Sequence, residues 1–238
     1  MPVAAIIPAA GLGVRMGPGA PKAMRELAGE PLLAHAVRSL VSTHEVDQLV
    51  VVVAADRVDD VRRLLEDGGV LAATGGRVDP SSHASQLRVV AGGSSRRESV
   101  AAGLRAVDPD TDVVLVHDAA RPLVPAEVVA RVVAAVRAGA PAVVPVLAVT
   151  DTIKRVRGDE VVETVDRSAL RAAQTPQGFS RTALQRAHAE TTSVATDDAG
   201  MVEELGLTVR VVDGHAEAFK ITHAFDLAVA ESVLRGRG

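Results

Sequence analysis

Glycines and cationic side chains come together in residues 8–22, directly after a short apolar segment. Gly11 and Gly13 come first, and Arg15 and Lys22 follow them. Because glycine has no Cβ, the backbone N–H groups of this segment can approach a ligand closely, and the two cations place positive charge beside them. The segment, here called the first loop, therefore predicts a binding site for a polyphosphate.

The same glycines form a loose G-x-G-x-x-x-G pattern, which is also found in dinucleotide-binding turns. In that fold the helix starts at the glycines, and an acidic residue about 20 residues further on holds the ribose. Here Pro18 and Pro21 prolong the loop, helical periodicity resumes only near residue 31, and the expected acidic residue is missing. The first loop therefore favours a nucleoside triphosphate as its ligand. A protein that binds a nicotinamide dinucleotide is kept as an alternative.

Two further segments follow predicted strands and carry charge. Residues 92–99 begin with two glycines, contain Arg96, and lead into a predicted helix, whose N-terminus favours anions. Residues 117–122 contain Asp118. Because ligands of open α/β sheets bind at the carboxyl ends of the strands, we expect both segments to lie beside the first loop.

Asp118 has two possible roles. It could cap the turn that follows, or it could hold a hard divalent cation together with substrate oxygens. Its predicted place between two anion-binding loops favours the cation. His117 is expected to be structural, because no second His or Cys lies nearby to complete a metal site.

The motifs that are missing narrow the chemistry. The chain has neither a G-x-x-x-x-G-K-[ST] loop nor a nucleophile elbow around a serine. The reaction that remains possible is attack of a substrate phosphate on the α-phosphorus of a nucleotide. A phosphomonoester has a second pKa of about 6, so it is already anionic at neutral pH and needs no general base for this attack. Arg15, Lys22 and Mg²⁺ could neutralise the charge that develops. A nucleotide-binding regulator without catalysis is a third possibility, which these cations disfavour.

Composition excludes several other functions. The chain has 238 residues, a net charge of −4, 1% aromatic residues and no cysteine. The charge and the lack of aromatic side chains argue against nucleic acid or an anionic membrane as a partner. The lack of cysteine excludes disulfides, thiolate metal sites and cysteine nucleophiles. Residues 1–10 have no basic segment typical of a signal peptide, so we expect a cytoplasmic protein.

Valine-rich segments alternate with amphipathic ones, which predicts an α/β fold: a Rossmann-like, mostly parallel, twisted sheet covered by helices. Predicted strands cover residues 4–8, 48–54, 87–90, 113–117, 142–146, 208–212 and 218–221. Predicted helices cover residues 32–40, 100–107, 127–137, 180–189, 197–205 and 224–234. Ser95 and Glu98 form a capping box, and residues 67–85 are expected to be an irregular surface loop.

A β-hairpin is predicted where residues 152–156 and 161–165 flank Gly158 and Asp159. It has few core-forming residues on either face. We therefore expect it to protrude as an arm, at about residues 148–168, from a single domain that spans residues 1–238.

Eight motifs together resemble the 2-C-methyl-D-erythritol 4-phosphate cytidylyltransferase family. They lie in family order and extend over nearly the whole chain, at residues 8–22, 92–100, 116–122, 151–154, 165–167, 174–177, 196–199 and 220–222. The resemblance implies the reaction of CTP with 2-C-methyl-D-erythritol 4-phosphate to give 4-diphosphocytidyl-2-C-methyl-D-erythritol and pyrophosphate, with Mg²⁺, in non-mevalonate isoprenoid biosynthesis. A ribitol 5-phosphate cytidylyltransferase, with the same fold and chemistry, is the alternative.

The resemblance also implies roles for single residues and a homodimer in which the arm reaches the partner's site. The implied catalytic residues are Arg15, Lys22, Arg167 and Lys220. Those that would bind CTP are Pro8, Ala9, Ala10, Gly11, Gly13, Gly93, Arg96, Ser99, Asp118 and Ala119, with Asp118 also next to the metal. Those that would hold the sugar phosphate are Thr152, Arg167, Thr175, Thr196 and Lys220, with Thr152 and Arg167 coming from the other subunit.

Overall fold

A computed structural model describes residues 1–11, 21–67, 86–192 and 195–237. Gly13 and Arg15 lie outside the described residues, as does the loop predicted at residues 67–85 except for its first residue, which ends a helix. The described strands are β1 (Val3–Pro8), β2 (Glu26–Leu27), β3 (Glu30–Pro31), β4 (Gln48–Val53), β5 (Gln86–Ala91), β6 (Val113–Val116), β7 (Ala142–Ala148), β8 (Ile153–Arg157), β9 (Glu160–Val165), β10 (Arg171–Ala173), β11 (Gln177–Ser180) and β12 (Val209–Asp213). The described α-helices are α1 (Leu32–Val41), α2 (Val58–Asp67), α3 (Arg96–Ala106), α4 (Ala126–Arg137), α5 (Arg181–Glu190), α6 (Asp198–Glu204) and α7 (Ala224–Arg237).

A mixed sheet forms the centre of the described chain. Its parallel part has the order β5-β4-β1-β6. Strand β11 lies antiparallel between β6 and β7, β10 pairs antiparallel with β7, and β12 pairs parallel with β7. The predicted α/β fold with a mostly parallel sheet is confirmed. The sequence analysis missed the short strands β2, β3, β10 and β11 and the helix α2.

Alternating side chains of β1 divide the core into two layers, because successive residues of a strand point to opposite faces of the sheet. Val3, Ala5 and Ile7 pack on the face that α1 and α4 cover. Ala4 and Ile6 pack on the opposite face with side chains of α3, α5 and α6. The core is built almost entirely from aliphatic side chains, and both layers hold the carboxyl end of β1 in place.

The strand predicted at residues 218–221 is wrong. Residues Ala216–Ala218 form a 3-10 helix, and irregular backbone follows it. Ala218 and Ile221 are fully buried, three residues apart, whereas a strand with one buried face would alternate every second residue. Ile221 N donates to Ala120 O at 2.8 Å, which fixes this segment beside the strand end of β6.

The predicted hairpin is confirmed as β8 and β9, which pair with each other in a sheet separate from the central one. Gly158 has a φ of +62° in the turn, a conformation that glycine adopts without strain. Three valines of the hairpin are largely exposed: Val156 (59%), Val161 (60%) and Val162 (49%). The hairpin therefore presents an apolar surface outside the core, while its dimerisation role and the single-domain assignment stay predictions.

Candidate active site

Two adjoining cavities lie at the carboxyl ends of β1 and β6, where ligands of open α/β sheets bind. They share Pro8, Gly11 and Asp118. The cavity of about 230 Å³ is also lined by Ala10, Gly93, Ser94, Ser95, Arg96 and Ser99. The cavity of about 170 Å³ is also lined by Ala9, Lys22, Ala23, Ala119, Ala120 and Lys220. Most of the predicted nucleotide-binding residues that the structure describes therefore lie around one continuous depression.

The loops that follow β1 and β5 are both held against the end of β4, beside the 230 Å³ cavity. Ala9 N donates to Val52 O at 2.6 Å, and Gly92 N donates to Val53 O at 2.7 Å, so both loops are tied to the end of β4. A Cβ on Gly92 would lie 2.7 Å from Ser99 Oγ and 3.0 Å from the Cβ of Ala10. A side chain at residue 92 would therefore force its neighbours to shift, and glycine lets the two loops approach as they do.

The predicted capping box at the start of α3 is confirmed. Ser95 Oγ accepts from Glu98 N at 3.1 Å, and Glu98 Oε2 accepts from Ser94 N at 2.6 Å and from Ser95 N at 3.3 Å. A Cβ on Gly93 would collide with Glu98. The box fixes the first turn of α3 and with it the position of Arg96 at the cavity.

Asp118 lies between two cations that are distant in the sequence. Lys220 Nζ donates to Asp118 Oδ2 at 2.6 Å, and Arg96 Nε lies 3.9 Å from Asp118 Oδ1. Burial raises the pKa of Asp118, but the attraction of Lys220 and Arg96 outweighs it and holds the pKa below its ordinary value. The carboxylate is therefore ionised at neutral pH, at the point where the two cavities meet.

His117 and Thr175 form a directional hydrogen-bond chain behind Asp118. Asp118 N donates to Thr175 Oγ1 at 3.0 Å, and Thr175 Oγ1 lies 3.2 Å from His117 Nδ1. His117 Nε2 lies 3.1 Å from Arg121 O, which can only accept. Nε2 therefore carries the proton, the threonine hydroxyl donates to Nδ1, and the imidazole is neutral. These contacts confirm that His117 is structural. They also show that the hydroxyl of Thr175 is hydrogen-bonded within the protein.

Burial lowers the pKa of His117 from 6.5 to about 4. In the unfolded chain the ring binds a proton below about 6.5, whereas the native ring stays neutral down to about 4, so stability is lost as the pH falls through this window. We expect wild-type protein to lose about 2 kcal/mol of unfolding free energy from this residue between pH 7 and pH 5. Urea unfolding in metal-free buffer, compared with His117→Gln, measures it; equal losses in both proteins would contradict the prediction.

Arg121 was not singled out by the sequence analysis, although it lies in the same motif as Asp118. Its Nη1 donates to Ala218 O at 2.7 Å and its Nη2 to Ala173 O at 3.1 Å. Burial lowers the pKa of Arg121, and Asp118 opposes that shift. Arg121 thus ties the segment that carries Lys220 to β10, and its position after a buried strand was the available sequence signal.

Three further predicted site residues lie outside the two cavities. Thr196 is exposed and lines a neighbouring cavity of about 380 Å³ together with Arg96. Asp197 Oδ1 accepts from Gly200 N at 3.0 Å, so Asp197, next to Thr196, caps α6. Thr152 and Arg167 are exposed at the base of the hairpin, where Arg167 donates to Thr150 O, and neither lines the two cavities in the described chain.

The carboxylates available for a metal are few. Within the described ranges, no group of three or more His, Cys, Asp or Glu side chains is placed to hold an ion. Among the described residues that line the two cavities, Asp118 is the only one that carries a carboxylate. Mg²⁺ is typically bound by one or two carboxylates together with substrate phosphates and water. This donor set fits a Mg²⁺ that is bound jointly with a triphosphate.

A cavity of about 360 Å³ lies elsewhere, between Met1, Asp47, Gln86 and Asp108. These residues lie where β1, β4, β5 and β6 begin. The amino ends of parallel strands are the edge opposite to the one at which open α/β sheets bind ligands. This cavity of about 360 Å³ is therefore not the candidate site.

Family membership follows from the sequence as a whole. The model of the IspD family, 2-C-methyl-D-erythritol 4-phosphate cytidylyltransferase, matches residues 3–236. The chain belongs to this family. A 2-C-methyl-D-erythritol 4-phosphate cytidylyltransferase of Streptomyces avermitilis is 51% identical over 241 residues, which cover 98% of this chain and 92% of that protein. One of Streptomyces coelicolor is 50% identical, over 98% of this chain and 85% of that protein.

Solved structures give the same result for the fold. The crystal structure of 2-C-methyl-D-erythritol 4-phosphate cytidylyltransferase from Thermus thermophilus has a TM-score of 0.75 and 34% identity, and covers 99% of this chain and 100% of that one. 4-Diphosphocytidyl-2C-methyl-D-erythritol synthase from Anaerococcus prevotii has a TM-score of 0.79 and 28% identity, over 98% of each chain. Membership of the IspD family confirms the nucleotidyltransferase activity expected from the motifs, with CTP and 2-C-methyl-D-erythritol 4-phosphate as substrates in isoprenoid biosynthesis. The nicotinamide-binding and non-catalytic alternatives are set aside.

None of the helices in the described part of the chain is both long enough and apolar enough to cross a membrane.

Proposed function

We propose that this chain transfers the cytidylyl group in a single in-line step. A phosphate oxygen of 2-C-methyl-D-erythritol 4-phosphate forms a bond to the α-phosphorus of CTP, while the bond from the α-phosphorus to the bridging oxygen of the β-phosphate breaks and pyrophosphate leaves. The observation that carries this proposal is the cluster of Lys220, Asp118 and Arg96 where the two cavities meet. It places fixed charge between the 230 Å³ cavity and the 170 Å³ cavity.

Positioning and charge suffice for this reaction, because the attacking phosphate is already anionic at neutral pH. The first loop, Gly93, Arg96 and Ser99 would hold CTP in the 230 Å³ cavity, and Ala119 would contact it from the adjoining cavity. Lys22 lines the adjoining cavity together with Lys220, and its ammonium would meet the charge that develops on the α-phosphate. Arg15, outside the described residues, would act with it. Lys220 would bind the phosphate of the acceptor.

Mg²⁺ would be held by Asp118 together with triphosphate oxygens. Bound there, the ion would neutralise the charge that builds up as pyrophosphate departs. The chain's own contribution is to keep the Asp118 carboxylate ionised and fixed, through Lys220 on one oxygen and the backbone hydrogen bond to Thr175.

Asp118→Asn tests the metal role. Removing the negative charge should raise the Mg²⁺ concentration that gives half-maximal rate by about tenfold or more, since an amide is a weaker ligand for a hard cation. Initial rates of pyrophosphate release over a Mg²⁺ titration measure the effect, with Asp110→Asn at the opposite edge of the sheet as the control. If the Asp118→Asn variant is slower but its rate depends on Mg²⁺ as in wild type, the metal role is wrong and Asp118 serves only to hold Lys220.

The arm, we propose, forms a homodimer and completes the partner's site. Its exposed valines offer an apolar surface that isolated hairpins do not normally present to water, and their exposure supports a covering partner. Thr152 and Arg167 lie at the base of the arm, outside the two cavities of their own subunit in the described chain. Delivered by a second copy, they would bind the acceptor's sugar phosphate, with Thr175 and Thr196 nearby on the receiving subunit.

The direct test of the reaction is pyrophosphate release with CTP and Mg²⁺, with 2-C-methyl-D-erythritol 4-phosphate and ribitol 5-phosphate compared as acceptors. Release with methylerythritol phosphate alone is expected, and release only with ribitol phosphate would move the substrate to the alternative. A CTP analogue with a chiral α-thiophosphate should react with inversion at phosphorus. Retention would indicate a covalent intermediate and contradict the single step.

We also propose that the enzyme works in the cytoplasm, where CTP is made. Cell fractionation can test this location.

A further inference from the structure

A fully buried carboxylate lies directly behind the nucleotide cavity. Asp198, at the start of α6, has no exposed surface. Arg96 Nη1 donates to its Oδ2 at 2.6 Å, and His188 Nε2 lies 3.0 Å from its Oδ1. A charge that is removed from water must be paired and hydrogen-bonded to be tolerated. Both oxygens of Asp198 meet this requirement, one through each neighbour.

Arg96 is held from two sides. Its Nη1 contacts buried Asp198, whereas its Nε faces Asp118 in the cavity at 3.9 Å. Burial lowers the pKa of Arg96, but Asp198 and Asp118 outweigh that and raise it above its ordinary value. The direction in which the guanidinium points into the cavity is therefore set by the orientation of the Asp198 carboxylate.

His188, on α5, contacts that carboxylate from the side opposite to Arg96, through the other oxygen. Its side chain is nearly buried, and a carboxylate only accepts, so Nε2–H donates to Asp198. Its Nδ1 has no hydrogen-bond partner among the described residues, so the contact with Asp198 is what the imidazole contributes here. A second contact reinforces the placement of α5. The side chain of Arg97, next to Arg96, donates through Nη2 to the backbone oxygen of His188 at 3.1 Å and also to that of Thr191. The end of α5 is thus fastened to the start of α3.

We propose that His188 is a positioning residue for nucleotide binding: it fixes the Asp198 carboxylate, which holds the Arg96 guanidinium in the orientation that meets CTP. The inference rests on the proposed role of Arg96 in binding CTP. Without the imidazole N–H, the carboxylate can rotate and the guanidinium loses its fixed direction. The acceptor's phosphate is bound elsewhere, so the effect falls on the nucleotide.

Three variants test the inference: His188→Leu, which removes the donor; His188→Gln, whose amide Nε2 can reach the same oxygen; and Arg96→Ala. We expect His188→Leu to weaken CTP binding about tenfold, since hydrogen bonds to charged groups are the strong ones. His188→Gln should restore most of the affinity. Calorimetric CTP binding without acceptor gives the affinity. Steady-state kinetics should show a raised KM for CTP, with kcat and the KM for the acceptor within about twofold of wild type.

Combining His188→Leu with Arg96→Ala decides whether the histidine acts through the arginine. In the Arg96→Ala background, His188→Leu should cause no further loss of CTP affinity. A loss of about tenfold in that background, or unchanged CTP binding by His188→Leu alone, would overturn the inference. If Arg96→Ala leaves CTP binding unchanged, the proposed role of Arg96 fails and His188 loses its function with it. If Arg96→Ala weakens binding and His188→Leu does not, only the inference fails. Thermal unfolding checks the fold, and His188→Asn, too short to reach Asp198, replaces the leucine variant if that variant does not fold.

Discussion

Lys22→Ala is expected to lower kcat by about 10² to 10⁴, which corresponds to roughly 3–5 kcal/mol of lost transition-state stabilisation. Lys22 lines the same cavity as Lys220 and Asp118, next to the place where the α-phosphate of CTP would lie. The charge at that phosphate grows as the attacking oxygen approaches, so a cation there contributes more in the transition state than in the bound substrate complex. CTP affinity should change little, because residues 8–11 and the start of α3 line the 230 Å³ cavity and would supply most contacts to the nucleotide.

Single-turnover rates at saturating CTP, together with calorimetric CTP binding, separate the two effects. Arg62→Ala is a suitable control, because Arg62 is an exposed cation on α2 that pairs with Asp59. A normal rate at saturation with greatly weakened CTP binding would make Lys22 a residue that binds the substrate only. The proposed catalytic role would then be wrong.

At a sugar phosphate concentration well below saturation, mixed dimers of Lys22→Ala and Arg167→Ala subunits should recover activity that neither variant has alone. If Arg167 reaches the partner's site, one site of each mixed dimer carries both substitutions and the other carries none. Each mixed dimer then has about half of the wild-type activity, and a random mixture about a quarter, as expected for a symmetric dimer with shared sites. Arg167→Ala alone should mainly raise the KM for the sugar phosphate.

Differently tagged subunits, purified as mixed dimers after co-expression, give the measurement. Absence of recovery in verified mixed dimers would mean that Arg167 serves its own subunit or no site at all. A monomer in analytical ultracentrifugation at assay concentration would reject the arm as a dimerisation element. Both results leave the cytidylyl transfer itself untouched, because family membership does not depend on the arm.

Local chemistry made much of this protein predictable from the sequence. The β1 strand with the loop after it, the capping box of Ser95 and Glu98, and the Gly158 turn each depend on residues close to one another in the chain. The α/β class was predictable for the same reason, because valine-rich segments alternate with amphipathic ones along the chain. The motifs at strand ends correctly pointed to the carboxyl edge of the sheet, since topology brings those ends together.

Other features depend on residues that meet only after the chain folds. Asp118 and Lys220 are 102 residues apart, as are Arg96 and Asp198, and no local pattern identifies which cation contacts which carboxylate. Local pattern also misassigned residues 218–221, where contact with Ala120 and Arg121 decides the backbone.

The sequence alone therefore determined the fold class, the position of two glycine-rich loops at strand ends and the family's chemistry, because these follow from short-range periodicity, glycine geometry and motif order. The tertiary structure alone decided the charge pairing at Asp118, the hydrogen-bond chain through His117 and Thr175, and the buried contact of His188 with Asp198. Those interactions are governed by distance in space and by burial, and neither quantity is encoded by neighbouring residues.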